Sequence, residues 1–520
     1  MRIGIDVGGT HTDAVLVEGA EVLAAVKART TADVETGVVA ALEAVLADSP
    51  RPRSAVRAVM IGTTQFTNAI VARRDLAPTA IVRISLPAGR DLPPTLDWPE
   101  DLAAALGGQV YMLPGGRRFD GRALAPEDPA ATARVIEAIA ASGVATVAVT
   151  SAFAALDPAP EQAFAAALTA RLPQVRVVMS HRMGGHGILE RENAAALNAA
   201  LLPLADRVIG AFERALADRG LDCPLYVSQN DGTLMATAFA RRYPALTFAS
   251  GPTNSLRGAS LLTGLADAIV VDIGGTTSDI GVLRQGFPRE SGTGVLVGGV
   301  RTNFRMPDIL ALGLGGGSRV RETGARIGPD SVGHALAEQA LAFGGQTLTV
   351  TDIAIAAGQL ALGERARLAG LDPALVTRAG ATLHTLLAEA IERMRTSRQA
   401  LPVILVGGGA PLVWQPLAGV AEVLRPAHAQ VANALGAAHA EVSGEAERLA
   451  RPGGLSRAAA IAEATRGAEA QARAAGAEAA SLRTVEVAET QLAYLAEDAA
   501  RVRVRVIGRL DLEPEHRVPR

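Results

Sequence analysis

Asp6-Val7-Gly8-Gly9-Thr10-His11-Thr12-Asp13, near the start of the chain, returns past its middle as Asp272-Ile273-Gly274-Gly275-Thr276-Thr277-Ser278-Asp279. Each copy follows an apolar, β-branched run (3–7 and 269–273) and leads into another (14–17 and 280–283). That pattern predicts strand, glycine turn, strand, twice over. A duplicated unit predicts two related half-domains facing one another. Glycine lets the backbone approach phosphate oxygens, and successive N–H groups of such a turn form an anion-binding nest. Thr10, Thr12, Thr276 and Ser278 bring hydroxyls to the two turns, and Thr277 stands beside them. Asp6 and Asp272, at strand ends, suit a hydrated Mg²⁺, which keeps most of its waters and needs few carboxylates. Plain hairpin turns use the same residue types, but two near-identical copies between apolar strands favour the phosphate reading. A dinucleotide fingerprint needs Gly-x-Gly-x-x-Gly opening a helix; here the alternation runs on into a strand.

A third turn, Gly407-Gly408-Gly409-Ala410, ends the apolar run 403–406. It allows close backbone approach to an adenine or ribose, or serves as a tight strand-to-helix turn.

Composition removes several rival chemistries. The net charge of −3 and 3% aromatics do not fit a nucleic-acid binder with a basic face and stacking platforms. Cys223 is the only cysteine, so the chain forms no internal disulfide or cysteine-ligated cluster. Lys27 is the only lysine, and no Gly-Lys-Ser/Thr tripeptide exists for a Walker-type loop. Lys27 itself falls in a polar Lys-Ala-Arg-Thr-Thr segment and gains no role from sequence. Phosphate chemistry is therefore expected to rest on backbone N–H groups, arginine and metal. There is no Gly-x-Ser-x-Gly elbow, no His-Glu-x-x-His and no His-x-His pair. With no apolar run of about 18 residues and no basic leader before the first strand, the expected place is the cytoplasm, away from membranes.

At 520 residues, more than one domain is expected. Strand and helix patterns alternate through residues 1–85; 87–99 reads as loop; 189–219 reads as one long helix or a pair broken at Pro203. Residues 458–475 read as an Ala/Glu/Arg helix, and 485–495 with 502–512 as a C-terminal strand pair. The division expected is 1–180, 181–450 and 451–520.

The three glycine turns together resemble the phosphate and adenosine loops of the actin-like ATPase superfamily, which includes sugar kinases and heat-shock chaperones. Within it, the chain resembles the A-type subunits of the ATP-dependent hydantoinase/oxoprolinase family. The segments that carry the resemblance are Gly62-Thr63-Thr64 with Thr67-Asn68, Ser180-His181, Glu190-Arg191-Glu192-Asn193, Asn230-Asp231-Gly232, Ser250-Gly251-Pro252, Gly315-Gly316-Gly317-Ser318 and Val431-Ala432-Asn433-Ala434. His11 departs from the family, which usually has Phe there. The resemblance implies an α/β fold of two ribonuclease H-like lobes around a nucleotide cleft, with a small C-terminal α/β region. It implies ATP and Mg²⁺ as cofactors, and phosphorylation of a carbonyl oxygen so that a cyclic amide (hydantoin, 5-oxoproline or lactam) opens. Ketone carboxylation, a small-molecule kinase and a non-catalytic nucleotide-binding regulator are the other activities this fold accommodates. A separate B-type partner chain, in a homo- or hetero-oligomer, is implied as well.

On that resemblance Asp6 and Asp272 are the catalytic and metal-holding pair. Gly8, Gly9, Thr10, Thr12, Gly274, Gly275, Thr276 and Thr277 meet the phosphates, and Gly407, Gly408 and Gly409 the nucleoside. Thr63, Thr64, Asn68, His181, Glu192, Asn193 and Asp231 line the substrate side. His181, His186, Glu190, Glu192 and Asn193 form the densest polar cluster outside the turns, suited to substrate or a second metal, while Glu190 to Asn193 equally open a helix. Asn230-Asp231-Gly232 also reads as an ordinary turn. Arg301, Asn303 and Arg305 are spaced to clamp a carboxylate or phosphate, or to decorate the surface.

Overall fold

The computed structural model describes all residues except 9, 10, 30–33, 185, 186, 292, 293, 398, 399, 451–453, 493–498 and 513–520. Its first lobe is built on β1 (Arg2–Val7), β2 (His11–Glu18), β3 (Glu21–Arg29), β4 (Ala58–Thr63) and β5 (Leu225–Ser228). They lie in the order β3-β2-β1-β4-β5, the first three antiparallel and the last two parallel to β1. The second lobe repeats this order with β6 (Ala268–Ile273), β7 (Ser278–Arg284), β8 (Phe287–Pro288), β9 (Val403–Val406) and β10 (Val423–Leu424): β8-β7-β6-β9-β10. Two lobes with one topology, the ribonuclease H-like 3-2-1-4-5 order, account for the duplicated sequence.

The apolar strand faces make separate cores. Ile3, Ile5 and Val7 pack with the long helix α1 (Ile188–Ala217), which is unbroken although Pro203 lies inside it. Ile269, Val271 and Ile273 pack with the helix Pro373–Met394. Helix α1 is long and apolar enough to cross a membrane by length and composition, yet most of it is buried inside the protein.

The opposite faces of β1 and β6 carry two further helices, α2 (Ser250–Thr263) and α3 (Ala432–His439). α3 lies on β1 because Gly4 has no side chain; a Cβ there would sit 2.0 Å from Ala434 O. α2 lies on the second lobe, with Leu256 against Gly281. The two helices also cross each other at glycines. A Cβ on Gly258 would be 1.8 Å from Ala432 O, and one on Gly436 2.0 Å from Asn254 O. This contact joins the lobes.

The sheets divide the chain differently from the expected segments. Residues 79–179 form their own parallel sheet, with Thr79–Leu86 between Val110–Pro114 and Thr146–Ser151, and Arg176–Met179 outside the latter. The C-terminal pair Arg483–Gln491 and Ala500–Gly508 is not a separate unit. Through Glu441–Ala450 and Thr233–Ala236 it extends the first lobe into a nine-stranded sheet. Edge pairing between segments remote in sequence leaves no local mark, so neither the separate sheet within 1–180 nor the joining of the C-terminal strands to the first lobe was readable. The helix Arg457–Ala474 covers this extension with Ala460, Ala464, Ala468 and Ala472, fully buried at four-residue spacing over Gly444.

Candidate active site

The two glycine turns are superposable in their hydrogen bonding. Asp6 pairs with Asp13 and Val7 with Thr12 across the first hairpin, and Asp272 pairs with Asp279 and Ile273 with Ser278 across the second. Gly8 N donates to His11 O at 3.0 Å, and Gly274 N to Thr277 O at 2.9 Å. Beside each aspartate stands a glycine packed too closely for a Cβ to fit without displacing it. A Cβ on Gly62 would lie 2.4 Å from Asp6 Oδ1, and one on Gly407 (φ +82°) 2.2 Å from Asp272 Oδ1. The run Gly315 to Gly317 stacks on the second turn, Gly316 N donating to Gly274 O and Gly317 N to Gly275 O. Gly9 and Thr10 lie outside the described residues.

The helices that join the lobes also hold the aspartates. Asn254 Nδ2 donates to Asp6 Oδ1 at 3.4 Å, Asn433 Nδ2 to Asp6 Oδ2 at 2.9 Å, and Ser255 Oγ to Asp272 Oδ2 at 2.5 Å. Burial, then the nearby Asp13 and Asp272 charges, push the Asp6 carboxyl up to about 7 against these hydrogen bonds. Burial and the Asp272 charge push Asp279 up to about 7. Burial raises Asp272 too, against the Ser255 hydrogen bond and the charge of Lys27. Carboxylates gathered between the lobes and raised in this way mark a candidate functional site. Asn254 Oδ1 is buried without a partner, an acceptor beside Asp6 that suits a metal-bound water. Among the described residues no three His, Cys, Asp or Glu side chains form a metal cage. The fit is thus to a hard ion that takes one or two carboxylates and completes its shell with water and phosphate, as Mg²⁺ does.

Lys27 is the correction to the sequence reading. It lies opposite Asp13 on β3 and pairs with it, Nζ to Oδ1 2.6 Å. It also reaches the second lobe, donating to Gln430 O at 3.3 Å beside Gly408. Asp13, Lys27, Asn254, Ser255 and Asn433 were all missed as site residues. The signal available was the close-packing glycine spacing of 254–258 and 432–436, but only a fold places it at the cleft.

The remaining expected residues divide. Thr63 is buried, its Oγ1 accepting from Gln65 N; Thr64 Oγ1 donates to Val7 O, and the exposed Asn68 donates to Thr64 Oγ1. These three therefore flank the first turn. Thr276 is half-buried and Thr277 exposed at the second, and Gly408 is exposed at the third. Two hydroxyls are not free for phosphate. Thr12 is fully buried on the strand face shared with Val7 and Ala14, the core side, and Ser278 Oγ donates to Leu314 O at 2.6 Å. Strand alternation sends both away from the carboxylates.

The polar cluster around residue 190 belongs to another place. Glu192 forms a bidentate pair with Arg83, at 2.7 and 2.5 Å, with both side chains 1% exposed. Asn193 accepts from Trp98 Nε1 and donates to Arg301 O. His181 Nδ1 lies 2.7 Å from the buried Glu161, which also accepts from Ser151 N and Ser180 Oγ. Glu192 thus ties α1 to the parallel sheet of residues 79–179, Asn193 ties it to Trp98 and to the strand at residue 301, and His181 is bound to Glu161, none of them to the glycine turns; His186 lies outside the described residues. Asp231 is paired with Arg505 at 2.6 Å and accepts from Thr233; burial pushes its carboxyl up, but Arg505 and Thr233 bring it below the usual value. The expected clamp does not form either, since Arg305 is taken by Glu290, Glu445 and Glu486. It works as a clasp between the second lobe and the C-terminal strands.

Residues 2–172 match the hydantoinase/oxoprolinase N-terminal region, and residues 191–370 match the hydantoinase/oxoprolinase domain that follows it. The chain belongs to the hydantoinase/oxoprolinase family. Among curated proteins this family member is 27% identical over 391 residues to the caprolactamase subunit alpha of Pseudomonas jessenii, a match covering 70% of this chain and 55% of that one. It is 29% identical over 195 residues to the acetophenone carboxylase gamma subunit of Aromatoleum aromaticum, covering 36% of this chain and 26% of that one. It therefore spans just over half the length of this caprolactamase subunit. Two solved structures share the fold across almost the whole chain. The ATP-dependent caprolactamase of Pseudomonas jessenii has a TM-score of 0.77 at 20% identity, covering 98% of this chain and 88% of that one. Nucleotide-free acetone carboxylase has a TM-score of 0.69 at 17% identity, covering 100% and 89%.

Proposed function

We propose that this hydantoinase/oxoprolinase family member is the ATP-using subunit of an enzyme that opens a cyclic amide. The observation that carries the reading is the meeting of Asp6 and Asp272, each beside a close-packed glycine, between two lobes of one topology. In this reading Asp6 and Asp272 hold Mg²⁺, the Gly8–Gly9–Thr10 and Gly274–Gly275–Thr276 turns take the β and γ phosphates, and Gly407 to Gly409 meet the nucleoside. Thr63, Thr64 and Asn68 face the amide. The lactam match of the Pseudomonas relative supports the substrate class.

An amide oxygen is a poor leaving group, and phosphoryl transfer to it makes the carbon electrophilic. Water then adds to the carbon, the C–N bond breaks to release the amine, and the resulting acyl phosphate is hydrolysed by a second water to carboxylate and phosphate. Such transfer demands positioning and charge neutralisation rather than many general bases, which suits this residue set. Water delivery and ring opening are assigned to a B-type partner, in the cytoplasm. A second reading, ketone activation for carboxylation, is supported by the acetophenone carboxylase match.

The test is ADP release against lactams, hydantoins, 5-oxoproline and ketones with bicarbonate, with and without a B-type chain. Stimulation by a cyclic amide is the expected outcome. Stimulation only by a ketone with bicarbonate moves the assignment to the second reading, and no stimulation by any of them rejects both.

A further inference from the structure

We propose that Lys27 is the cationic contact for the phosphate chain of a nucleoside triphosphate in the interlobe cleft. The inference rests on the ATP site proposed above and adds a residue to it.

Lys27 is the only lysine among 50 lysines and arginines. A chain that uses arginine at every other basic position keeps a compact ammonium at this one. The position explains the choice. The side chain leaves β3 opposite Asp13, crosses from the first lobe to the second, and runs beside the third glycine turn, its Cε 3.5 Å from where a Cβ on Gly408 would lie. A planar guanidinium with its fixed fork is not equivalent to a compact ammonium at this position. The ammonium is 2.6 Å from Asp13 and 3.3 Å from Gln430 O, and its side chain keeps 30% exposure whereas that of Asp13 keeps 4%. It is thus held from behind and open in front.

The charge around it gives it work. Asp6, Asp13, Asp272 and Asp279 face one another across the two hairpins. Among the described residues the side chains bonded to Asp6, Asp13 and Asp272 are Asn254, Asn433, Lys27 and Ser255, so Lys27 is the one cation in that group and no arginine joins it. A triphosphate entering this acidic cleft brings more negative charge than a hydrated Mg²⁺ alone offsets. Nζ, with three donors, gives one to Asp13 and one to Gln430 O and has the third left for phosphate oxygen.

The single lysine makes the test direct. An acyl phosphate of ATP, the acyl group on the terminal phosphate, delivers that group to an amine lying beside the phosphates. The new bond is the amide at Nζ, the acyl C–O bond breaks, ATP leaves and the ammonium loses its proton. The expected result is one acyl group per chain by intact mass, mapped to Lys27 and not to the amino group of Met1, and reduced at least tenfold by excess MgATP but not by AMP. In parallel, Lys27→Met is expected to weaken ATP binding at least tenfold by calorimetry, with AMP binding unchanged and Lys27→Arg between the two. ATP bound by the wild-type protein with Lys27 unlabelled, or labelled without protection, overturns the role of Lys27 and leaves the ATP site standing. Unchanged ATP affinity in Lys27→Met does the same. No ATP binding by the wild-type protein overturns the site itself. Should Lys27→Met fail to fold, the labelling of the wild-type protein decides.

Discussion

Asp6 of the first glycine turn and Asp272 of the second are held by neighbouring residues of one helix, Asn254 by its amide and Ser255 by its hydroxyl. A helix that fixes one carboxylate from each lobe makes the distance between them a property of lobe packing. Removing the charge at either end is therefore expected to stop turnover without unfolding the chain. Asp6→Asn and Asp272→Asn should each lower ATP turnover by about 10²-fold or more, measured as ADP release at saturating ATP, with thermal unfolding unchanged or improved because a buried charge is gone.

The crossing of α2 and α3 leaves no room for a methyl group at Gly258 or Gly436. Gly258→Ala is expected to push the helices apart, costing about 1–3 kcal/mol of stability and displacing Asn254 and Asn433 together. Urea unfolding reads the first effect, and a fall in ATP turnover larger than the fall in folded fraction reads the second. Gly467, over Ala446 on the outer helix, has more room, its Cβ meeting the nearest atom at 3.0 Å, so Gly467→Ala is a milder control.

The raised carboxyl of Asp279 sets a pH dependence. Its value is about 7 in the folded chain and 3.8 without the fold. Between these, the native state holds a proton that the unfolded chain has released, so stability falls as pH rises through this window and levels off above about 7. His439 and His384, whose buried rings are pushed down, act in the opposite sense, as does the amino terminus. Comparison with Asp279→Asn cancels them. Relative to that variant, the wild-type protein should gain about 1.4 kcal/mol per pH unit as pH falls from 7 to 5, read by denaturant midpoints across the range.

Glu192 and Arg83 form a buried pair whose loss leaves one charge stranded. Glu192→Gln is expected to cost about 3–5 kcal/mol of stability, while ATP affinity measured on the folded fraction stays at its wild-type value. A change in substrate-stimulated ADP release at unchanged stability would instead return Glu192 to the substrate side.

The sequence by itself determined the duplicated hairpin, because each copy carries its own alternation and its own glycines within a few residues. The same locality made the strand ending at Gly407 and the hydantoinase/oxoprolinase resemblance legible, but left 189–219 as one long helix or a pair broken at Pro203, which the structure resolves as one helix. It named Asp6 and Asp272, whose place at strand ends follows from those patterns. It could not say which way a hydroxyl points, so Thr12 and Ser278 were grouped with the phosphate turns although alternation and packing send them to the cores. Nor could it tell that Glu192, Asn193, Asp231 and Arg305 would be spent on partners far along the chain, Arg83, Trp98, Arg505 and Glu486. Only the tertiary structure decided that the C-terminal strands complete the first lobe, and that Asn254, Ser255, Asn433 and Lys27 converge on the aspartates. The physical reason is the same in each case. Hydrogen bonds inside a hairpin are set by neighbours in the chain, whereas charge pairing, edge pairing and close helix crossing are set by which surfaces meet once the chain has folded.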